Sequence, residues 1–415
     1  MGDFNIFKFY FSNFYFLESN EGTNKILPVI VFSQFAGTSL WFAGNAIIAD
    51  LQTAMNVSIG DTGIVTSAIQ LGFITGTLFF ALLAISDRYS PRMLFLVCSI
   101  LGAISNLLIY FIAYDLFSLL VLRFITGFFL TGIYPIGMKI AAGWYKKGLG
   151  NAIGLLVGAL VLGTAFPHLI KSFGGSLNWQ QVIFVISTSS VIGGITMYLL
   201  VEDGPYISSG TRFNPKAVIK LFKYKELRSS ALGYFGHMWE LYTFWALIPV
   251  ILFYYLKINL VILNISFWSF ITIASGSVGC IVGGMISNKI GSAKVAFIQL
   301  ALSCICCLIS PFMFDTSAPF FLTFLIFWGI VVVGDSPQYS ALIALSAPKE
   351  LVGTGLTLVN SLGFAITILS LWFVYQFLDM IEISYALMIL AIGPILGLIS
   401  MKKLLSLDRI NLEQA

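Results

Sequence analysis

Charge is what this chain of 415 residues has least of, with Asp, Glu, Lys and Arg making up 10%. Soluble proteins carry about 25%, so a water-facing shell cannot be built from this sequence. Histidine is limited to His168 and His237, and no nucleophile, base and acid set forms around either, which argues against an enzyme. No Gly-x4-Gly-Lys-Ser/Thr phosphate loop occurs, so an ATP-driven pump has no support in the chain. The five cysteines, Cys98, Cys280, Cys304, Cys306 and Cys307, all lie inside apolar runs and read as small buried hydrophobes rather than a disulfide framework. The Cys304, Cys306 and Cys307 group has no His or acid beside it to complete a metal site, so neither metal nor cofactor is expected. Net charge is +4 with no polybasic tail, which makes nucleic acid an unexpected partner.

What is present is apolar: 58% of the residues, including 38 Phe, together with 38 Gly. A helix crossing a bilayer needs roughly 20 apolar residues, so about a dozen spans fit. Hydropathy places them at 27–51, 62–85, 93–113, 116–142, 150–170, 179–201, 231–255, 266–286, 295–314, 320–346, 353–377 and 383–400. The expected fold is an all-α, polytopic membrane protein. Small-xxx-small faces at Gly72 and Gly76, at Gly150, Gly154 and Gly158, and at Gly279 and Gly283 predict close helix contacts.

Lys and Arg accumulate in cytoplasmic loops. With the N-terminus inside, 18 of the 22 fall on the cytoplasmic side and only Lys171 and Lys257 outside, which predicts a multi-pass protein of the cell membrane with both termini cytoplasmic. Residues 1–26 are crowded with Phe and Tyr and suit an interfacial segment. The stretch 202–230, with Pro205, Pro215 and six basic residues, suits a cytoplasmic linker between a six-helix half at 27–201 and another at 231–401, leaving 402–415 as a tail.

The halves echo each other. Asp87 and Asn288 are 201 apart, as are Trp41 and Tyr242; Gly132 and Pro135 recur 202 positions on as Gly334 and Pro337. Echoes in register with twelve spans predict two pseudo-symmetric halves related by an axis along the membrane normal.

At these residues the chain resembles the major facilitator superfamily. Asp87, Arg88 and Arg92 fit the loop signature Gly-x-Leu-x-Asp-Arg-x-Gly-Arg-Arg, which Leu83, Ser90 and Pro91 depart from. The second copy keeps both glycines, Gly284 and Gly291, but has Asn288 and Lys289 for Asp-Arg, and Arg123 to Gly127 is similar to the fourth-span motif Arg-x-x-Gln-Gly with Thr126 for Gln. The resemblance covers 27–401 and implies conformational switching at Asp87, Arg88, Arg92, Asn288 and Lys289. Residues 148–154 are faintly similar to the nitrate and nitrite porter signature, but the arginines those porters use in the second and eighth spans are missing. An antiporter-type Gly-Pro pair is also missing from the fifth span, where Pro167 arrives late; this weakens a drug-efflux reading.

Four charges fall within the spans: Arg123, Lys139, Glu240 and Asp335. Each costs about 2.5–3.5 kcal/mol at a helix centre, so each calls for a partner, a wet cavity or a function. Cations in one half and acids in the other are expected to meet between the halves. Arg123, Gly127 and Tyr134 are expected on one face of the fourth span, with Lys139 roughly 160° from Arg123 and either snorkelling or near the inner gate. His237 and Glu240, three apart, can share a face and exchange protons, with Asp335 the second acid.

These residues predict a secondary active transporter working by alternating access, coupled to protons and moving a small organic solute, anionic or polar. Arg123, Gln34, Trp41, Asn45, Tyr134, Trp245 and Gln338 are the candidate substrate-binding residues; Glu240, Asp335 and His237 are the candidates for proton coupling. A monomer in membrane lipid is expected. Efflux of amphipathic compounds, and a non-transporting receptor or scaffold, are the competing readings.

Overall fold

In the computed structural model of the protein, the described residues are 23–55, 61–145, 149–173, 178–206, 221–348, 351–378 and 380–413. They form helices and no strand. The aromatic N-terminal segment up to residue 22 and the greater part of the expected linker lie outside them.

Among the described residues eleven helices are long and apolar enough to cross a membrane, and the shorter apolar helix Ile26–Thr38 opens the first span. The expected first span is not one helix. It is built from α1 (Thr23–Thr38), a turn at 39–42, α2 (Ala43–Ala46) and α3 (Ile48–Met55). The hydroxyls of Thr38 and Ser39 bond back to the carbonyls of Gln34 and Ala36, an arrangement that bends helices.

The second span is α4 (Asp61–Leu82), followed by the short α5 (Ile85–Arg88) and the third span α6 (Pro91–Ile112). The fourth span is interrupted between α7 (Leu116–Leu130) and α8 (Tyr134–Trp144). Spans five and six are α9 (Leu149–Ser172) and α10 (Trp179–Leu200). In the second half come α11 (Lys225–Asn259), α12 (Ile265–Ile290) and α13 (Ser292–Met313). The tenth span breaks between α14 (Ala318–Gly334) and α15 (Ser336–Ser346), and the eleventh is α16 (Val352–Leu378). The twelfth runs through α17 (Ile383–Ala386), a 3-10 turn and α18 (Ile392–Glu413), so the expected tail continues as helix.

The breaks in spans four and ten share a cause. Pro135 and Pro337 lack the N–H that would reach the carbonyl four residues back. At the second break that carbonyl, Val333 O, accepts the Cys280 thiol at 3.4 Å, which gives this buried cysteine a partner. Asp115 and Asn178 start spans four and six with reciprocal capping boxes to Ser118 and Gln181.

Packing repeats across the halves. Span two lies on span four as span eight lies on span ten, and a Cβ on Gly72 or Gly279 would overlap the carbonyl of Phe124 or Ile330 respectively. Between the halves, span five packs on span eight and span two on span eleven. The close contact expected along span five is looser: nothing lies within 4 Å of a Cβ on Gly150, and one on Gly154 would be 3.6 Å from the Cys280 carbonyl. Large apolar side chains such as Phe79, Phe111, Leu199, Leu369 and Trp372 face outward, as a lipid surround requires.

Candidate functional site

The turn in span one frees backbone carbonyls inside the bundle, where each must find a donor. Arg123 supplies it. Its Nη1 donates to Leu40 O at 3.2 Å and to Asn106 Oδ1 at 3.3 Å, and its Nη2 donates to Trp41 O. Asn106 is held in turn by its donation to Ser187 Oγ at 3.0 Å. Arg123 is fully buried within the N-terminal half and meets neither acid of the other half. Between it and Tyr134 lies the turn at 131–133, and Tyr134 lines a cavity between the halves whereas Arg123 does not.

With its carbonyl held, Trp41 reaches between the halves. Its ring stacks on Tyr242 at 5.7 Å and on Phe364 at 5.5 Å, and packs on Phe73 at 4.9 Å. Phe42 packs edge-on against Trp245 at 6.0 Å. This aromatic layer closes one side of a cavity of about 30 Å3 lined by residues of both halves. Tyr134 and Leu160 come from one half; Tyr234, Tyr242, Trp245, Ser336, Ser340, Asn360 and Phe364 come from the other. Among the described residues no charged side chain lines it.

Of the candidate binding residues, Tyr134 and Trp245 line the cavity and Trp41 stacks on its wall. Asn45 Nδ2 instead donates to Thr66 Oγ1 at 2.7 Å. Gln34 is buried beside Gly137, within the N-terminal half, and Gln338 is buried in α15 outside the cavity lining. Tyr234, Asn360 and Phe364 escaped sequence reasoning, since an aromatic or amide in a span reads alike whether it faces a neighbour or a cavity.

Behind the cavity wall, His237 Nδ1 and Asp335 Oδ1 approach to 2.8 Å without the in-line geometry of a hydrogen bond, and both residues are buried. Asp335 occupies the break of span ten, next to the cavity residue Ser336, and His237 lies between the cavity residues Tyr234 and Met238 on span seven. Tyr339 covers the imidazole, with ring centroids 5.7 Å apart. Glu240 turns elsewhere. Its Oε1 accepts from Trp328 Nε1 at 2.7 Å, from Cys307 Sγ at 3.3 Å and from Ser303 Oγ. Among the described residues, the hydrogen bonds and ion pairs of Arg123, Lys139, Glu240 and Asp335 thus fall within their own halves and not across the interface.

At the end of the bundle bearing Asp87 lies a vestibule of about 430 Å3, lined by Ser86, Asp87, Thr131 and Lys139 of one half, by Gly353, Leu356 and Thr357 of the other, and by Tyr206 of the stretch that follows span six. Lys139 Nζ reaches Asp87 Oδ1 at 2.6 Å and also donates to Ser86 O, so this lysine joins the signature loop to span four. Ala84 precedes that loop with a φ of 50°, where a side chain is strained. Arg88 is exposed, and Arg92 sits 5.5 Å from the Tyr198 ring centroid. In the second copy α12 runs straight through Asn288 and Lys289, both exposed; Asn288 reaches Asn151 of the opposite half at 3.5 Å. Among the described residues no group of three or more His, Cys, Asp or Glu is arranged to hold a metal ion.

The whole arrangement is similar to the crystal structure of a bacterial homologue of the human lysosomal transporter Spinster, in an inward-facing and occupied conformation. The match has a TM-score of 0.67 at 13% identity and covers 94% of this chain and 97% of that one. No curated protein sequence matches the chain. The sequence model of the major facilitator superfamily matches residues 29–371, and with the helices, halves and breaks described above the chain belongs to that family of membrane transporters.

Proposed function

We propose that the protein carries a small polar or amphipathic organic solute without net charge across the cell membrane by alternating access, driven by protons. The observation that carries this reading is a cavity shared by the two halves, walled by aromatic rings, hydroxyls and an amide, with a buried His and Asp pair directly behind it. Such walls suit a ligand that buries apolar surface and makes a few directed hydrogen bonds. An anionic substrate fits less well, because Arg123 is buried outside the cavity lining with both terminal nitrogens bonded to Leu40, Trp41 and Asn106.

The halves at 27–201 and 231–401 rock about the cavity as units, with both termini cytoplasmic and the Asp87 vestibule facing the cytoplasm. The chain works as a monomer. His237 and Asp335 form the coupling pair: a proton held there alters the charge beside Ser336 and Tyr234 as the solute arrives. One proton moving down 100 mV supplies about 2.3 kcal/mol, enough for roughly 50-fold accumulation of a neutral solute.

The test is reconstitution into proteoliposomes loaded with a pH-sensitive dye, challenged with a metabolite library pre-screened by thermal stabilisation of the protein. A neutral solute that stabilises the protein and moves protons only when Asp335 is intact supports the reading. A stabilising ligand that must be anionic, or transport with no proton movement, overturns it. No ligand and no flux at all favours the receptor or scaffold reading.

A further inference from the structure

Three features meet at the side of the cavity away from Asp87. The first is the aromatic layer of Trp41, Tyr242, Phe364 and Phe73, which separates the cavity from that side of the membrane. Order along span eleven fixes this placement: Gly353 and Thr357 line the vestibule, Asn360 and Phe364 line the cavity, and Tyr375 lies three turns further on.

The second is a polar stripe beyond the layer. Gly63, Thr66, Gln70 and Phe73 follow at helical spacing on one face of span two. Thr66 holds Asn45 of span one, and a Cβ on Gly63 would meet the Tyr375 ring of span eleven, so this face looks between the halves. Both amide atoms of Gln70, the Asn45 Oδ1 and the Tyr375 hydroxyl are buried with no hydrogen-bond partner among the described residues. So are the indole nitrogens of Trp41 and Trp245. Buried polar groups are almost always bonded, so these call for partners from water or from another state of the interface.

The third is Arg123. A bidentate grip on two successive carbonyls, Leu40 and Trp41, is a fixed geometry that the planar guanidinium supplies and a lysine does not. It holds the turn whose side chain is the central ring of the layer.

We propose that Arg123 is a positioning residue that holds Trp41 as a plug on the side of the cavity away from Asp87, and that Gln70, Asn45 and Tyr375 line the path that opens when the plug withdraws. The proposal rests on the alternating-access reading of the protein. It is tested without substrate, so its failure is distinguishable from a failure of that reading.

Ser340→Cys places a thiol in the cavity, and a membrane-impermeant maleimide is applied to vesicles of either orientation, with the chain lacking the new cysteine as blank. The thiol is expected to label from the Asp87 side and to be protected from the other. Trp41→Ala should raise labelling from the protected side about tenfold, a shift of about 1.4 kcal/mol toward the open form. Arg123→Gln should do the same, the double variant should add nothing, and labelling from the Asp87 side should be unchanged in all, which a general loosening of the fold would not allow. If Arg123→Gln does not fold, Gly44→Ala substitutes for it, since its Cβ would press the Arg123 Nε from 3.1 Å. In a Gln70→Cys chain, labelling from the far side should appear only when Trp41 is Ala. Protection that survives Trp41→Ala removes the plug; protection that survives both Arg123 perturbations removes the positioning role. A Gln70→Cys thiol silent in both backgrounds removes the path.

Discussion

Trp41 and Tyr242 occupy the same place in the two repeats, 201 positions apart, and they stack on each other across the interface with ring centroids 5.7 Å apart and planes at 29°. A repeat related by an axis between the halves brings equivalent positions near that axis together, so the contact follows from the duplication. Offset aromatic pairs contribute about 0.5–1.5 kcal/mol beyond the area they bury. A double-mutant cycle of Trp41→Leu and Tyr242→Leu, read by thermal melting in detergent, should give a coupling in that range. Additive losses would mean that the rings pack independently.

Glycine spacing makes a second, graded prediction. Gly72→Ala and Gly279→Ala each force a methyl onto a neighbouring carbonyl, and overpacking of this kind costs about 1–3 kcal/mol. Gly154→Ala and Gly158→Ala, with nearest neighbours at 3.6 Å and 3.7 Å, should melt within a degree or two of the parent. Equal sensitivity at all four positions would contradict the looser fit around the span-five glycines.

Much of this fold was legible in the sequence because its signals are local. Apolar length acts within a few residues, and the echoes of Trp41, Asp87, Gly132 and Pro135 repeat such signals 201 or 202 positions on. The first-span break was hidden because the turn at 39–42 contains neither glycine nor proline; its cues are the Thr38 and Ser39 hydroxyls, whose back-bonding also occurs in unbroken helices. Once that break was missed, the target of Arg123 could not be found, since the carbonyls it holds exist as free acceptors only in the broken form. Asp335 was legible as an intramembrane acid, but its contact with His237 joins two spans, which no periodicity reports.

Asp87 and Lys139 are each about one-fifth exposed and 2.6 Å apart, so solvent screens the pair only in part. Breaking it from one side leaves the other charge at the membrane edge without that partner. Asp87→Ala should therefore lower the melting temperature more than the double variant Asp87→Ala with Lys139→Ala, and the cycle should give a coupling of about 1 kcal/mol that shrinks in high salt. A double variant less stable than Asp87→Ala alone would show that Lys139 is held by Ser86 and its surroundings instead of by the carboxylate.

The two intramembrane acids should separate in function. Glu240 accepts three donors from spans nine and ten on one oxygen, and its neighbours Ser303, Cys307 and Trp328 lie outside the cavity lining. Its role on this geometry is to tie span seven to the rest of its half. Glu240→Gln keeps a carbonyl for those donors and should retain solute-driven proton movement with a modest loss of stability. Trp328→Phe removes a hydrogen bond to a carboxylate and should cost about 1.5–3 kcal/mol, while keeping the stack on Phe244 seen at 4.3 Å. Asp335→Asn should do the reverse, sparing the melting temperature more than the coupling, because Asp335 lies next to the cavity residue Ser336 and faces His237. Proteoliposome proton flux and detergent melting measured on the same preparations decide it. Loss of coupling in Glu240→Gln with coupling intact in Asp335→Asn would exchange the two roles and move the proton site from the cavity wall into the core of the C-terminal half.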